Sequence, residues 1–330
     1  MPIHITNTQE SFSNSLQGRE CMPFDDYVKL ALYDTEIGYY AREKQRVGRN
    51  KDSDFFTSAS FDSSVWGKLL MEASCALISE GEPADYVFVE IAAEPEKNSL
   101  GDLPHPFKAI KTIRLGEPLN IPKNSIVFSN EWLDAQPFKR YRFDPITKNW
   151  NEIGVTMKEG KWTEIPMPSV VQTEEVVLTF PQDLNFKYTI DWPIGAEMSL
   201  NNLVRETWQG LFITFDYGLD IERIFRDFPD GTGRSYFNQK MDHDLLEQPG
   251  TKDITCHVCW NKLQETLLNN KFKKINLQSQ ESFFMRYAAN RIQEIIEDKD
   301  TKQEEIGTLK ELIHPLHLGQ KFQVLHGWRQ

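Results

Sequence analysis

The chain has 330 residues, 39% of them hydrophobic, enough to bury a large core as one elaborated domain or two small ones. Lys and Arg number 37 against 49 Asp and Glu, a formal net charge of -12, so the average surface repels a phosphate backbone and nucleic-acid binding is disfavoured. The opening MPIHITNTQESFSNS lacks the basic flank and apolar run of an export signal, no stretch nears the roughly 20 apolar residues of a bilayer span, and four scattered cysteines make no disulfide framework; a cytoplasmic protein with free thiols is expected.

In chain order, residues 23–33 open with a proline suited to a first helical position and carry Phe24, Tyr27, Val28, Ala31 and Leu32 at helical spacing. A polar stretch, 42–54, follows. Trp66, Leu69, Leu70, Ala73 and Leu77 then mark a second helix, so 1–80 reads as a helical N-terminal cap. From Tyr86 the texture changes to short apolar runs at 86–91, 126–129 and 211–215, with a helix expected at 198–208 before the third. Such runs suit parallel strands covered on both faces, and 81–330 reads as a doubly wound α/β domain. Within it, about 138–180 alternates and turns at Asp144-Pro145 and Glu159-Gly160, which predicts a β-rich insertion beside the sheet's carboxyl edge. Its Trp150 and Trp162 suit a surface half buried against a partner. A strand at 272–277, a helix at 281–297 and a last strand at 321–326 complete the reading.

Several segments, spread from about residue 23 to 326, resemble the MidA-like family of methyltransferases, whose mitochondrial members assist assembly of respiratory complex I. Gly38-Tyr39-Tyr40 and Asp54-Phe55-Phe56-Thr57-Ser58 resemble its N-terminal pattern. Asn130-Glu131-Trp132-Leu133-Asp134-Ala135 with Pro137 is similar to its Asn-Glu-x-x-Asp-Ala-x-Pro, and Asp216-Tyr217-Gly218 to its Asp-Tyr-Gly. Gly233-Arg234-Ser235-Tyr236 and the stretch from Pro249-Gly250 through Asp253-Ile254-Thr255-Cys256-His257-Val258 match further motifs in the same order. The resemblance implies a seven-stranded methyltransferase sheet with its last strand antiparallel, a helical cap and a β-rich insertion. It implies S-adenosylmethionine as cofactor and a protein substrate or partner, with arginine a suitable acceptor. A methyltransferase fold that binds a partner without chemistry is the alternative.

Methyl transfer from a sulfonium needs alignment and placed charge more than covalent help. Glu131 and Asp134 stand three apart beyond 126–129; a helix starting there would set both carboxylates on one face at a strand's carboxyl end, where ligands bind in such sheets. The competing roles are a helix cap for Asp134 and solvated charge for Glu131. Asp216 follows the run 211–215 and is either a site carboxylate or a turn residue bonding its own backbone. These three are the expected catalytic residues. The resemblance implies cofactor contacts at Glu90, Ala92, Glu117, Asn130, Thr57 and Ser58, and substrate contacts at Tyr217, Tyr236 and His257.

The chain departs from the family at Glu90-Ile91-Ala92-Ala93-Glu94-Pro95-Glu96, where Ala92, Glu94 and Glu96 replace three alternate glycines. A non-glycine residue in a left-handed conformation costs roughly 1–2 kcal/mol. Pro104 and Pro106 predict a truncated helix after this loop. Cys256-x-x-Cys259 with His257, and His314 with His317, lack the matched second pair of a zinc site, so no metal is expected and buried thiols are the better reading.

Overall fold

The structure, a computed structural model, describes residues 16, 18–41, 63–94, 97–168, 171, 174–237 and 240–330. Its strands of three or more residues, in chain order, are β1 (Val87–Ile91), β2 (Ala109–Ile113), β3 (Asn124–Asn130), β4 (Lys139–Asp144), β5 (Asn149–Lys158), β6 (Lys161–Pro166) and β7 (Tyr188–Trp192). They continue with β8 (Gln209–Asp216), β9 (Arg234–Phe237), β10 (Lys240–Asp242), β11 (Asp253–Thr255), β12 (Lys273–Ser279) and β13 (Gln323–Arg329).

The central sheet runs β12-β13-β8-β3-β1-β2, with β8, β3, β1 and β2 parallel and β13 antiparallel to both its neighbours. The last strand is therefore antiparallel, as expected. The sheet holds six strands among the described residues, not the expected seven. Only 114–123, with Gly116, Pro118 and Pro122, separates β2 from β3, too little chain for a further strand and its crossover. No helix forms between β1 and β2 among the described residues; 97–108 makes turns around its prolines.

Side chains along each strand alternate between two cores. Phe88, Phe128 and Phe215 meet Trp66 and Leu69 of the helix Ser63–Leu77, together with Phe283 and Phe284. Val89, Val127, Phe212 and Leu325 meet Leu200 and Leu203 of the helix Ile194–Arg205 and Leu263 of the helix Trp260–Asn269. Burial of each such side chain contributes about 1.5–3 kcal/mol. The helix expected at 281–297 is two, Gln280–Tyr287 and Ala289–Glu297, broken at Ala288, and the helix Gln303–Ile313 follows.

The insertion is a five-stranded antiparallel sheet in which β5 lies between the two-residue strand Met22–Pro23 and β4, β4 also pairs β7, and β6 pairs β5. It extends past the expected 180 to take in β7. The helix Phe24–Tyr33 covers it, packing Phe24, Tyr27 and Val28 on Phe138, Val155 and Trp162. Trp150 and Trp162, only 1% and 9% exposed, are core residues rather than half-buried contact rings. Neighbouring aromatics, Phe143, Phe180 and Tyr188 about Trp150 and Tyr27 against Trp162, enclose them. Among the described residues, no helix is long and apolar enough to cross a membrane.

Candidate active site

Parallel strands β1, β3 and β8 end side by side, so Ile91, Asn130 and Asp216 reach one carboxyl edge. Directly after β3 the chain reverses sharply: Glu131 adopts a left-handed φ of 50° and its N–H donates to the Phe215 carbonyl at 2.9 Å. Strain of this kind in a non-glycine residue costs about 1–3 kcal/mol and persists where surrounding structure enforces it. Asn130 donates from Nδ2 to Glu131 Oε1 at 2.9 Å, while its buried Oδ1 has no partner among the described residues. No helix starts here. Glu131 and Asp134 lie on a loop that runs to β4, so a shared helical face and a helix-cap role for Asp134 both give way to loop geometry.

That loop folds over the end of β8. Asp216, fully buried, accepts from the Leu133 N–H at Oδ2 and from the Tyr217 N–H at Oδ1, each at 2.9 Å. The second bond is the local turn contact, and the first ties the loop down. Asp134 is buried beside it and hydrogen-bonds Asp216 through its side chain. Burial first, then the neighbouring carboxylates, raises Asp134 well above the usual range; burial likewise lifts Asp216 to about 7. The two titrate as an interacting pair that holds protons more readily than an isolated carboxylate does.

Three more groups complete the cluster. Asp253, on β11, accepts from the Tyr40 hydroxyl at 3.0 Å and repels the charge on Asp134. Arg234, on the paired strand β9, opposes that effect; its guanidinium carbon lies 5.4 Å from the centre of the Tyr217 ring, and its buried Nε has no partner among the described residues. Burial raises the phenols of Tyr217 and Tyr236, with Glu131 and Asp134 adding to the rise in both. The structure thus brings together Glu131, Asp134, Asp216, Tyr217 and Tyr236, and adds Tyr40, Arg234 and Asp253. Each of the added residues sits inside a motif segment already singled out in the sequence, which was the available signal.

His257 is placed differently. Its ring packs edge-on to Phe228 at 5.5 Å, and burial first, then the Arg234 and Arg223 charges, depresses it to about 3, so it is neutral. The nearby thiols do not converge on a metal: Cys256 belongs to the core under the helix Phe24–Tyr33 and Cys259 to the core of Trp150 and Phe180. Burial raises both, Cys259 to about 11.

On the β1 side, Glu90 is buried and accepts from the Ser99 N–H and hydroxyl, each at 2.7 Å, pinning the turn at 97–100. Ala92 takes a left-handed φ of 58° and its N–H donates to the Ile113 carbonyl at 2.8 Å. Alanine thus adopts the tight turn usually given to glycine. Glu117 is exposed and accepts from the Arg114 N–H at 2.8 Å, closing the turn after β2. Thr57, Ser58 and Glu96 lie outside the described residues. A cofactor bound at this edge would meet a preformed turn at Ala92, an exposed carboxylate at Glu117 and the orphaned Asn130 Oδ1, so the residues present fit one.

Burial first raises Glu90 from 4.5 to about 7, with Glu94 adding and the Ser99 bonds and Arg114 opposing. The folded state therefore holds this proton more tightly than the unfolded chain, and stability falls as pH rises from about 4.5 to 7, then levels off. Glu90→Gln, which can still accept from the Ser99 N–H, should flatten that fall by about 3 kcal/mol in urea unfolding between pH 4 and 8. An unchanged pH dependence would show that Glu90 ionises freely.

A family model described as "Putative S-adenosyl-L-methionine-dependent methyltransferase" matches residues 77–277, more than half of the chain. No curated protein matches. Among solved structures, a superfamily member from Burkholderia thailandensis bound to S-adenosyl-homocysteine is similar with a TM-score of 0.83 at 20% identity, over 100% of this chain and 94% of that one. A native crystal structure of an uncharacterized protein from the same organism gives a TM-score of 0.81 at 19% identity, over the same shares. At such identities the likeness concerns the fold, whereas the family rests on the model match. The chain belongs to this family of S-adenosyl-L-methionine-dependent methyltransferases, the MidA-like group whose motifs it carries.

Proposed function

We propose that this chain binds S-adenosylmethionine at the ends of β1, β2 and β3 and methylates a cationic nitrogen, an arginine side chain of a partner protein, in the cytoplasm. The buried carboxylates of Asp134 and Asp216, brought together at the end of β8 by the loop that carries Glu131, are the observation that carries the reading. When bound, S-adenosylmethionine supplies an electrophilic methyl on a positive sulfur. Ala92, Asn130 and Glu117 would hold it. Glu131, steadied by Asn130, offers carboxylate oxygens to guanidinium N–H groups. Loss of the Asp216 proton at about pH 7 leaves an ionised carboxylate beside Asp134 that can accept the proton the acceptor nitrogen must lose. Tyr217 and Tyr236 give the acceptor aromatic walls, and Arg234 keeps the carboxylates from repelling one another apart.

One observation favours a second reading, an inactive fold that binds a partner: the Glu90 carboxylate and the Ala92 N–H are both committed to internal bonds. Calorimetric titration with S-adenosylmethionine and S-adenosylhomocysteine separates the two. Saturable binding of both is expected. No heat of binding at millimolar cofactor would overturn the enzyme reading in favour of the partner-binding one.

A further inference from the structure

The parallel strands also have an amino edge, remote from the carboxylates, and an open cleft of about 420 Å³ lies there between β12, β13 and the ends of two helices. A β-bulge between Lys273 and Asn276 makes it. Lys274 takes a left-handed φ of 53° in the bulge, and its ammonium donates to Ser79 Oγ at 3.1 Å. Facing it on β13 are alternate residues His326 and Trp328, only 4% and 5% exposed. His326 Nε2 and Trp328 Nε1 are both buried without a hydrogen-bond partner among the described residues. Orphaned groups of this kind point to a ligand or water that the fold leaves room for.

The charges agree with that placement. Arg286 lines the cleft, makes no ion pair among the described residues, and sits 5.3 Å from the centre of the Tyr287 ring. Its charge, added to burial, pushes His326 down to about 4. No carboxylate lines the cleft, in a chain whose net charge is -12. The lining is thus rich in donors over an apolar floor of Leu211 and the Tyr287 ring.

We propose that this cleft is a second binding site, for a small organic anion whose carboxylate or phosphate oxygens accept from Trp328 Nε1, Lys274 and Arg286 and whose apolar body rests on Tyr287 and Leu211. Volume and lining suit such a ligand. The site is independent of the methyl-transfer reading, because its residues lie at the other edge of the sheet.

The test uses the full chain labelled with ¹⁵N-tryptophan, with the Trp328 indole signal assigned by its loss in Trp328→Phe. Titration with phenyl phosphate and with benzoate should shift that signal saturably, and the stronger of the two identifies the preferred head group. Benzyl alcohol, the neutral counterpart, should not. Lys274→Gln with Arg286→Gln should weaken the response by about a hundredfold or more, roughly tenfold for each charged hydrogen bond lost, without altering the other indole signals. An indole signal unmoved by millimolar anion, equal binding of benzyl alcohol, or an undiminished response in the double variant would each overturn the proposal.

Discussion

Asp134→Asn should lower methyl transfer by about 10²–10⁴-fold, the range for losing a positioned acid–base group, while S-adenosylhomocysteine affinity stays nearly unchanged. Asparagine keeps the shape of Asp134 and can donate to Asp216, so folding is preserved while an ionisable group is lost. Wild-type transfer should also rise with pH through about 7, where Asp216 ionises, and the variant, which keeps the buried Asp216, should show the same rise at its lower rate. Release of S-adenosylhomocysteine during transfer to an arginine-containing protein acceptor measures both. A variant that weakens cofactor binding as much as it slows transfer would move Asp134 to the cofactor side and sink its assigned role. Asp216 is a poorer probe of chemistry, because two backbone donors depend on its oxygens.

The three central strands β1, β3 and β8 were legible because each contains an apolar run between turns, and burial on both faces demands that composition. What escaped the sequence depends on contacts between distant segments. The insertion's strands were legible from alternation and turns, but its tryptophans read as half buried against a partner, whereas the helix Phe24–Tyr33 covers one face and Phe180 with Phe225 packs on the other. Trp150 and Trp162 therefore sit in cores. The helix anticipated at Glu131 fails because the left-handed turn at that residue and Pro137 leave no run of helical backbone between them. Glu131, Asp134 and Asp216 were readable from their place at strand ends. Tyr40, Arg234 and Asp253 were not, since their roles appear only when the N-terminal segment and the β9–β11 pair close over that edge.

Asp191→Ala should cost about 3–5 kcal/mol in urea unfolding, because it leaves a buried guanidinium with half its partners. Asp191, 1% exposed at the end of β7, accepts from Arg140 Nε at 2.7 Å and Nη2 at 3.0 Å, a two-point fork. Oδ2 also accepts from the Gly233 N–H at 2.7 Å, joining the insertion sheet to the strand that carries Arg234. Glu164 holds the other side of Arg140 at 2.5 Å, and the Phe24 ring lies 4.6 Å from its guanidinium carbon. The Lys252 pairs with Asp242 and Glu247, whose carboxylates are half exposed, should contribute only about 0–1 kcal/mol by comparison. Arg140→Met combined with Asp191→Leu should recover much of the loss, since an apolar pair of similar volume carries no stranded charge. Recovery of stability without recovery of transfer would follow from the Gly233 anchor, which the double variant still lacks and on which the position of Arg234 beside Asp134 depends. A loss below about 1 kcal/mol for Asp191→Ala would mean that water reaches Arg140, and the strut between the insertion and the site would have to be sought elsewhere.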